Sequence, residues 1–154
     1  MDKKYTLRKA NERDVKLLFD WKNEKLCVRN SLSGREVSWE EHYTWFMQAL
    51  KDKKRKIFIL EADEQPVGQI RLDREKDMAV VSYSIAEEFR GQHLGREILC
   101  LAERESVIWN IRKLKADVLS CNIPSQKLFL DLGYQESIRG EILCYEKDLD
   151  ASKP

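Results

Sequence analysis

Four consecutive apolar residues, Ile57-Phe58-Ile59-Leu60, constrain this chain more than any other feature. Successive side chains of a strand point to opposite faces, so an unbroken apolar run needs cover on both. The run is short for a helix and reads as a strand buried on both sides. Two further strands follow it. Val67–Leu72 alternates, and Met78–Ile85 puts Val81, Tyr83 and Ile85 on one face and Val80, Ser82 and Ser84 on the other. The chain therefore predicts a sheet clad by helices on both faces.

The helices are legible from their ends. Asn11, with Asp14 three residues on, predicts an N-cap and a helix through about Asn23, in which Val15, Leu17, Leu18, Phe19 and Trp21 pack on more than one side. A looser stretch with Ser31, Ser33 and Gly34 follows. Ser38-Trp39-Glu40-Glu41 is a capping-box pattern and opens a helix to about Leu50. Its stripe Trp39, Tyr43, Phe46 and Leu50 reads as core, while the offset stripe His42, Trp45 and Ala49 is free to face a cleft. From Gly95 to about Arg112 there is neither glycine nor proline, and Ile98, Leu101, Ala102 and Ile108 suit a buried helical face. Pro124 suits a first helical turn and Gly133 the far end of that helix. Tyr5–Arg8 and Lys115–Leu119 read as strands, Gln65-Pro66 as a turn, and Arg139-Gly140 as the turn of a closing hairpin between Tyr134–Ile138 and Glu141–Leu149. The expected order is β-α-α-β-β-β-α-β-α-β-β, an α/β (α+β mixed) sheet. It is taken as one domain over residues 1–149 with a loose tail at 150–154.

Composition excludes several function classes. The 154 residues carry 28 basic and 27 acidic side chains, so the totals show no nucleic-acid footprint. MDKKYTLRK lacks the apolar core of a signal peptide, and no window approaches a membrane span. Cys27, Cys100, Cys121 and Cys144 are far apart and show no metal-ligand spacing. The expectation is a cytoplasmic protein with reduced thiols, no metal, and no nucleic-acid or membrane partner.

The stretch Glu88–Leu99, EFRGQHLGREIL, sits between the strand ending at Ile85 and the glycine-free helix. A loop so placed points several unpaired amides at one spot, where the helix dipole also favours negative charge. Arg90 and Arg96 add full charges, and Gly91 and Gly95 permit close approach of a ligand to the backbone. A diphosphate suits such a cradle. The GKS/GKT of a P-loop and the GxGxxG of a dinucleotide fold are both absent.

Arg90-Gly91-Gln92-His93-Leu94-Gly95 resembles the R/Q-x-x-G-x-G/A motif of the GNAT superfamily of acetyl-CoA-dependent N-acetyltransferases. The segment from Asn122 through Ser125 and Phe129 to Gly133-Tyr134 resembles that family's N-x-x-S/A-x-x-x-Y/F-x-x-x-G-F/Y signature. The resemblance implies a mixed, mostly antiparallel sheet splayed at its middle, with acetyl-CoA in the splay. It implies that Arg90, Gly91, Gln92, His93, Leu94, Gly95 and Arg96 hold the pyrophosphate. Ser84, Ile85 and Ala86 then pair with pantetheine, and Asn122, Ser125 and Phe129 line the far side. Two departures stand out. His93 occupies a position that is glycine in the family, and Phe129 replaces the tyrosine that reprotonates the leaving thiolate in many relatives.

The N-terminal third resembles the N-acetyltransferases of UDP-4-amino-dideoxy-sugars in pseudaminic acid biosynthesis. Trp21-Lys22-Asn23, Val28-Arg29, and the run from Ser38 through His42 to Trp45-Phe46 carry the likeness, with Lys22 where arginine is usual. It implies a small-molecule amine acceptor, a sugar nucleotide first, touched by Trp21, Asn23, Arg29, His42, Trp45 and Arg71. Direct attack in a ternary complex needs orientation and oxyanion stabilisation. His42, directly or through water, is the candidate base, and Tyr83 lies near the chemistry. The alternatives are a polyamine or protein N-terminal acetyltransferase, or a degenerate CoA-binding regulatory module. Homodimers are common in the family.

Overall fold

The computed structural model describes residues 3–149. The expected tail at 150–154 lies outside the described residues. Seven strands form one sheet: β1 (Tyr5–Lys9), β2 (Arg55–Ala62), β3 (Gln65–Glu75), β4 (Met78–Ile85), β5 (Lys113–Leu119), β6 (Gln135–Arg139) and β7 (Ile142–Asp148), in the order β1-β2-β3-β4-β5-β7-β6. Every neighbouring pair is antiparallel except β4 and β5. The helices are α1 (Val15–Lys22), α2 (Lys25–Asn30), α3 (Trp39–Lys51), α4 (Leu94–Ile108) and α5 (Ile123–Asp131).

The apolar run of β2 is shared between two cores. Ile57 and Ile59 join Leu18 of α1 and Phe46 and Ala49 of α3 on one face. Phe58 and Leu60 join Ile70, Leu72, Val81, Ile98, Leu99 and Phe129 on the other, under α4 and α5. Each such side chain contributes about 1.5–3 kcal/mol on burial, so this strand anchors both layers. Local chemistry sets the helix starts as expected. Asn11 and Asp14 form a reciprocal capping box, and Ser38 accepts from the Glu41 amide at 3.2 Å.

Several details depart from the expectations. The stretch after α1 is not loose throughout: α2 forms there, capped by Glu24, which accepts from the Leu26 amide at 2.9 Å. None of its residues is buried, so no apolar period marks it in the sequence. The β2–β3 turn falls at Asp63-Glu64, not Gln65-Pro66. Both turn residues are left-handed (φ 49° and 73°), the twist that a two-residue hairpin needs. Pro66 lies within β3, where the pairing with β2 shifts register between Leu60 and Glu61, a place where sheets tolerate proline. Helix α4 stops at Ile108, which is 73 % exposed rather than core, and Asn110 at φ 63° carries the chain away. In α3 the buried stripe is His42, Phe46 and Ala49, whereas Trp39 and Tyr43 are 43 % and 46 % exposed. The core takes the narrower stripe because it faces Ile57 and Ile59 of β2. Trp39 instead packs edge-on against Phe19, ring centroids 5.2 Å apart.

The feature that positions the site is the parting of the two parallel strands. Only Met78–Val80 of β4 pair with Lys113–Lys115 of β5. Beyond Val80 the two strands share no rungs, and a gap opens in mid-sheet with α4 and α5 beside it. Among the described residues no helix is long and apolar enough to cross a membrane, and no group of three or more His, Cys, Asp or Glu is arranged to hold a metal.

Candidate active site

A cleft of about 960 Å³ runs through this gap. Its floor follows from strand alternation. The Ala86 amide donates to the Val67 carbonyl at 2.8 Å, so Ala86 directs its backbone toward β3. By the two-residue period the N–H and C=O of Ile85 and Tyr83 face the gap, and those of Ser84 face β3. The expected pairing group Ser84-Ile85-Ala86 thus reduces, for backbone contacts, to Ile85. Ala86 is 4 % exposed and its amide is spent, while Ser84 offers the cleft only its side chain, with Oγ accepting from Gln69 Nε2 at 3.0 Å.

At the end of β4 the glycine stretch delivers the expected amides. Among the described residues, the N–H groups of Gly91, Gln92, His93, Leu94, Gly95 and Arg96 have no protein acceptor, and no side chain caps α4. Two left-handed residues make this possible: Gly91 at φ 81°, and His93 at φ 63°, ψ 22°. His93 therefore holds, with a side chain, the conformation a glycine holds freely. Gly95 serves a different purpose. A Cβ there would meet Leu128 Cδ2 at 2.8 Å and the Tyr83 ring at 3.6 Å, so it lets α4 lie close on α5 and β4. Gln92 is exposed and does not line the cleft.

Arg90 is not a free phosphate ligand in this arrangement. Its Nε donates to the Ile85 carbonyl at 3.1 Å, and its Nη2 donates to the Glu24 carboxylate, the group that also caps α2. The hydrogen bond from Arg90 is the largest influence holding Glu24 down at about 2. Arg90 thus ties α2 to the end of β4. Arg96, exposed at the cleft and without an ion pair among the described residues, is the loop's free cation. Glu24 was not singled out from the sequence, where an isolated glutamate ahead of an unrecognised helix gives no signal.

On the far wall Asn122 accepts from the Ser125 amide at 3.4 Å and starts α5. Ser125 Oγ lies 2.8 Å from Tyr83 Oη. Phe129 is 1 % exposed, edge-on to Tyr83 and stacked on Tyr145. The hydroxyl missing from Phe129 is thus present next door, on β4. Burial raises the Tyr83 pKa above its ordinary value, so the phenol stays protonated at neutral pH.

The other half of the cleft lies under α1 and α3. Trp21, Trp45, Arg71 and His42 line it, as the sequence suggested. Asn23 and Arg29 do not. Asn23 clasps Val37, accepting from its amide and donating to its carbonyl, both at 2.8 Å; Arg29 is exposed on α2 outside the lining. His42 is 2 % exposed. Its Nε2 bonds the Val15 carbonyl at 2.8 Å, which puts the proton on Nε2 and leaves the Nδ1 lone pair enclosed without a partner. Desolvation lowers its pKa, so the ring is neutral near pH 7. An enclosed lone pair cannot take a proton directly from an amine in the cleft. His42 thus lines the cleft with its Nε2 committed to the Val15 carbonyl and its Nδ1 enclosed, which leaves the route through water for the base role expected of it. Lys22, noted in the sequence only as a replacement, turns out to reach into this half, 4.5 Å above the Trp45 ring.

Comparison with known proteins agrees with this geometry. The model of the acetyltransferase (GNAT) family matches residues 15–134. An uncharacterized protein of Methanocaldococcus jannaschii is 28 % identical over 144 residues, covering 90 % of this chain. This chain spans 30 % of the length of that relative. A crystallised domain from the same organism superposes with a TM-score of 0.86 at 27 % identity, covering 96 % of this chain and 100 % of that one. The spermidine N-acetyltransferase of Vibrio cholerae, solved with CoA and spermine, superposes with a TM-score of 0.84. It covers 94 % of this chain and 95 % of its own, and at 18 % identity shows a shared fold.

Proposed function

This chain belongs to the acetyltransferase (GNAT) family, and from that premise we propose that it transfers an acetyl group from acetyl-CoA to a primary amine. The observation that carries the reading is the row of six unpartnered amides, Gly91 to Arg96, at the mouth of the gap between β4 and β5. Backbone donors at a helix N-terminus suit a pyrophosphate, and the Ile85 N–H, whose own carbonyl already accepts from Arg90 Nε, suits a carbonyl of an extended chain bearing amides. When bound, acetyl-CoA supplies an activated thioester whose acyl carbon accepts the amine.

The residues of the chain supply the rest. The gap-facing N–H groups of β4 are placed to stabilise an oxyanion. Tyr83 Oη keeps its proton at neutral pH and donates it into the gap, with Ser125 Oγ as its hydrogen-bonded neighbour. Among the described residues no carboxylate or free imidazole faces the acceptor half as a base.

The relatives bear on the acceptor class. The name of the Vibrio cholerae enzyme supports a small-molecule amine acceptor. The open cleft and the uncapped amides argue against a degenerate module. The test is acetyl-CoA-dependent stabilisation of the fold, followed by thiol release across a panel of polyamines, amino acids, peptides and amino-sugar nucleotides. A saturable rise in the unfolding midpoint and turnover with at least one amine are expected. No rise at saturating acetyl-CoA refutes the reading.

A further inference from the structure

We propose that the acceptor amine carries an oxyanion, held in the acceptor half of the cleft by Lys22 and Arg71 beside Trp45. The inference rests on the acetyl-transfer reading of the cleft and names the substrate class within it. Three cations surround one indole: Lys22 Nζ lies 4.5 Å from the Trp45 centroid, Arg71 Cζ 5.1 Å and Arg55 Cζ 5.6 Å. Their acids are too few. Asp73 is shared, 3.0 Å from Arg71 Nε and 3.1 Å from Arg55 Nε, and Asp52 stands 3.9 Å from Arg55. Among the described residues Lys22 has no acidic partner. Arg35 lines the same cleft, also without one.

Crowded like charges that are partly withdrawn from water are unfavourable unless a counter-charge arrives. The strain registers on Lys22 itself. Although the residue keeps contact with solvent, desolvation and then Arg71 draw its pKa below the ordinary value. The groups facing it are Arg71 and the neutral His42, and neither compensates the charge. The acids that do line the cleft, Asp117 and Asp131, come from β5 and α5, not from the elements that carry these cations. A polyamine, all cation, meets repulsion here. An amine with a phosphate or carboxylate at its far end supplies the missing charge and presents its nitrogen to the gap.

The experiment titrates protein already saturated with CoA, so that the amide cradle is filled, with inorganic pyrophosphate and separately with spermidine. Pyrophosphate is expected to raise the unfolding midpoint further, and spermidine to leave it unchanged. Lys22→Met should weaken pyrophosphate binding about tenfold, the scale of one charge-assisted contact, and Lys22→Arg should restore it. Among acceptors sharing a propyl spacer, 3-aminopropyl phosphate or 4-aminobutanoate should be acetylated at least about tenfold more efficiently than 1,3-diaminopropane. The better of the two identifies the oxyanion. Equal pyrophosphate affinity in Lys22→Met, a response to spermidine instead, or preference for the diamine overturns the proposal. If CoA itself does not bind, the acetyl-transfer reading has failed. If CoA binds and pyrophosphate does not, only this inference has.

Discussion

His93 offers the sharpest check on how the amide cradle is built, and His93→Gly is the perturbation. The residue stands at φ 63°, ψ 22°, makes no side-chain capping bond and is exposed. A side chain in the left-handed region costs about 1–2 kcal/mol. Glycine removes that cost but returns about 0.4–1 kcal/mol through the greater freedom of its unfolded chain. The net is a stabilisation of about 0.5–1 kcal/mol, which for a chain of this size is a rise of about 1–4 °C in the unfolding midpoint. His93→Ala separates backbone from side chain: it removes the imidazole and keeps the strain. Calorimetric unfolding of the three proteins at pH 7.5 gives the answer. The expected order places glycine above both histidine and alanine, with acetyl-CoA affinity little changed because the amides already stand in place. A glycine variant no more stable than the alanine one refutes the argument that His93 holds strain.

Tyr83→Phe should reduce kcat by about 10²-fold, the scale of a lost general acid, while changing stability by no more than about 1.5 kcal/mol for the single bond to Ser125; unchanged turnover removes Tyr83 from the chemistry. Glu24, depressed from 4.5 to about 2 in the fold, contributes stability that is fully present above pH 4.5 and lost as pH falls toward 2. Denaturant midpoints of Glu24→Gln should therefore lie below those of the unaltered protein at pH 7 and converge with them across that window. His42, lowered from 6.5, works in the same direction: the unfolded chain takes up its proton first, so stability declines as pH falls below about 6.5. His42→Gln, which keeps a donor toward the Val15 carbonyl, should flatten that decline and leave kcat against pH without a lost limb; loss of a kinetic pKa in this variant would restore His42 as the base.

How much of this was legible depends on where the information lies. The two-sided burial of Ile57–Leu60, the capping boxes at Asn11 and Ser38, and the glycine loop after Ile85 are local patterns, each with a backbone cause that a sequence displays. They sufficed for the order of strands and for all the longer helices. Helix α2 was not legible because it buries nothing, and the stripe of α3 was misread because two competing apolar stripes run along it. Only the strand facing the helix chooses between them.

The sequence by itself determined that the amides of residues 91–96 would be left without protein partners, since loop, glycines and helix start are contiguous. Tertiary structure alone decided what surrounds them. It turned Arg90 toward Glu24, 66 positions away, and set Tyr83 against Ser125, 42 positions away. It also gathered Lys22, Arg55 and Arg71 around Trp45. The physical reason is range. Backbone conformation is set by neighbours a few residues away, whereas charge and hydroxyl partners are chosen by the packing of distant segments, which no local pattern records.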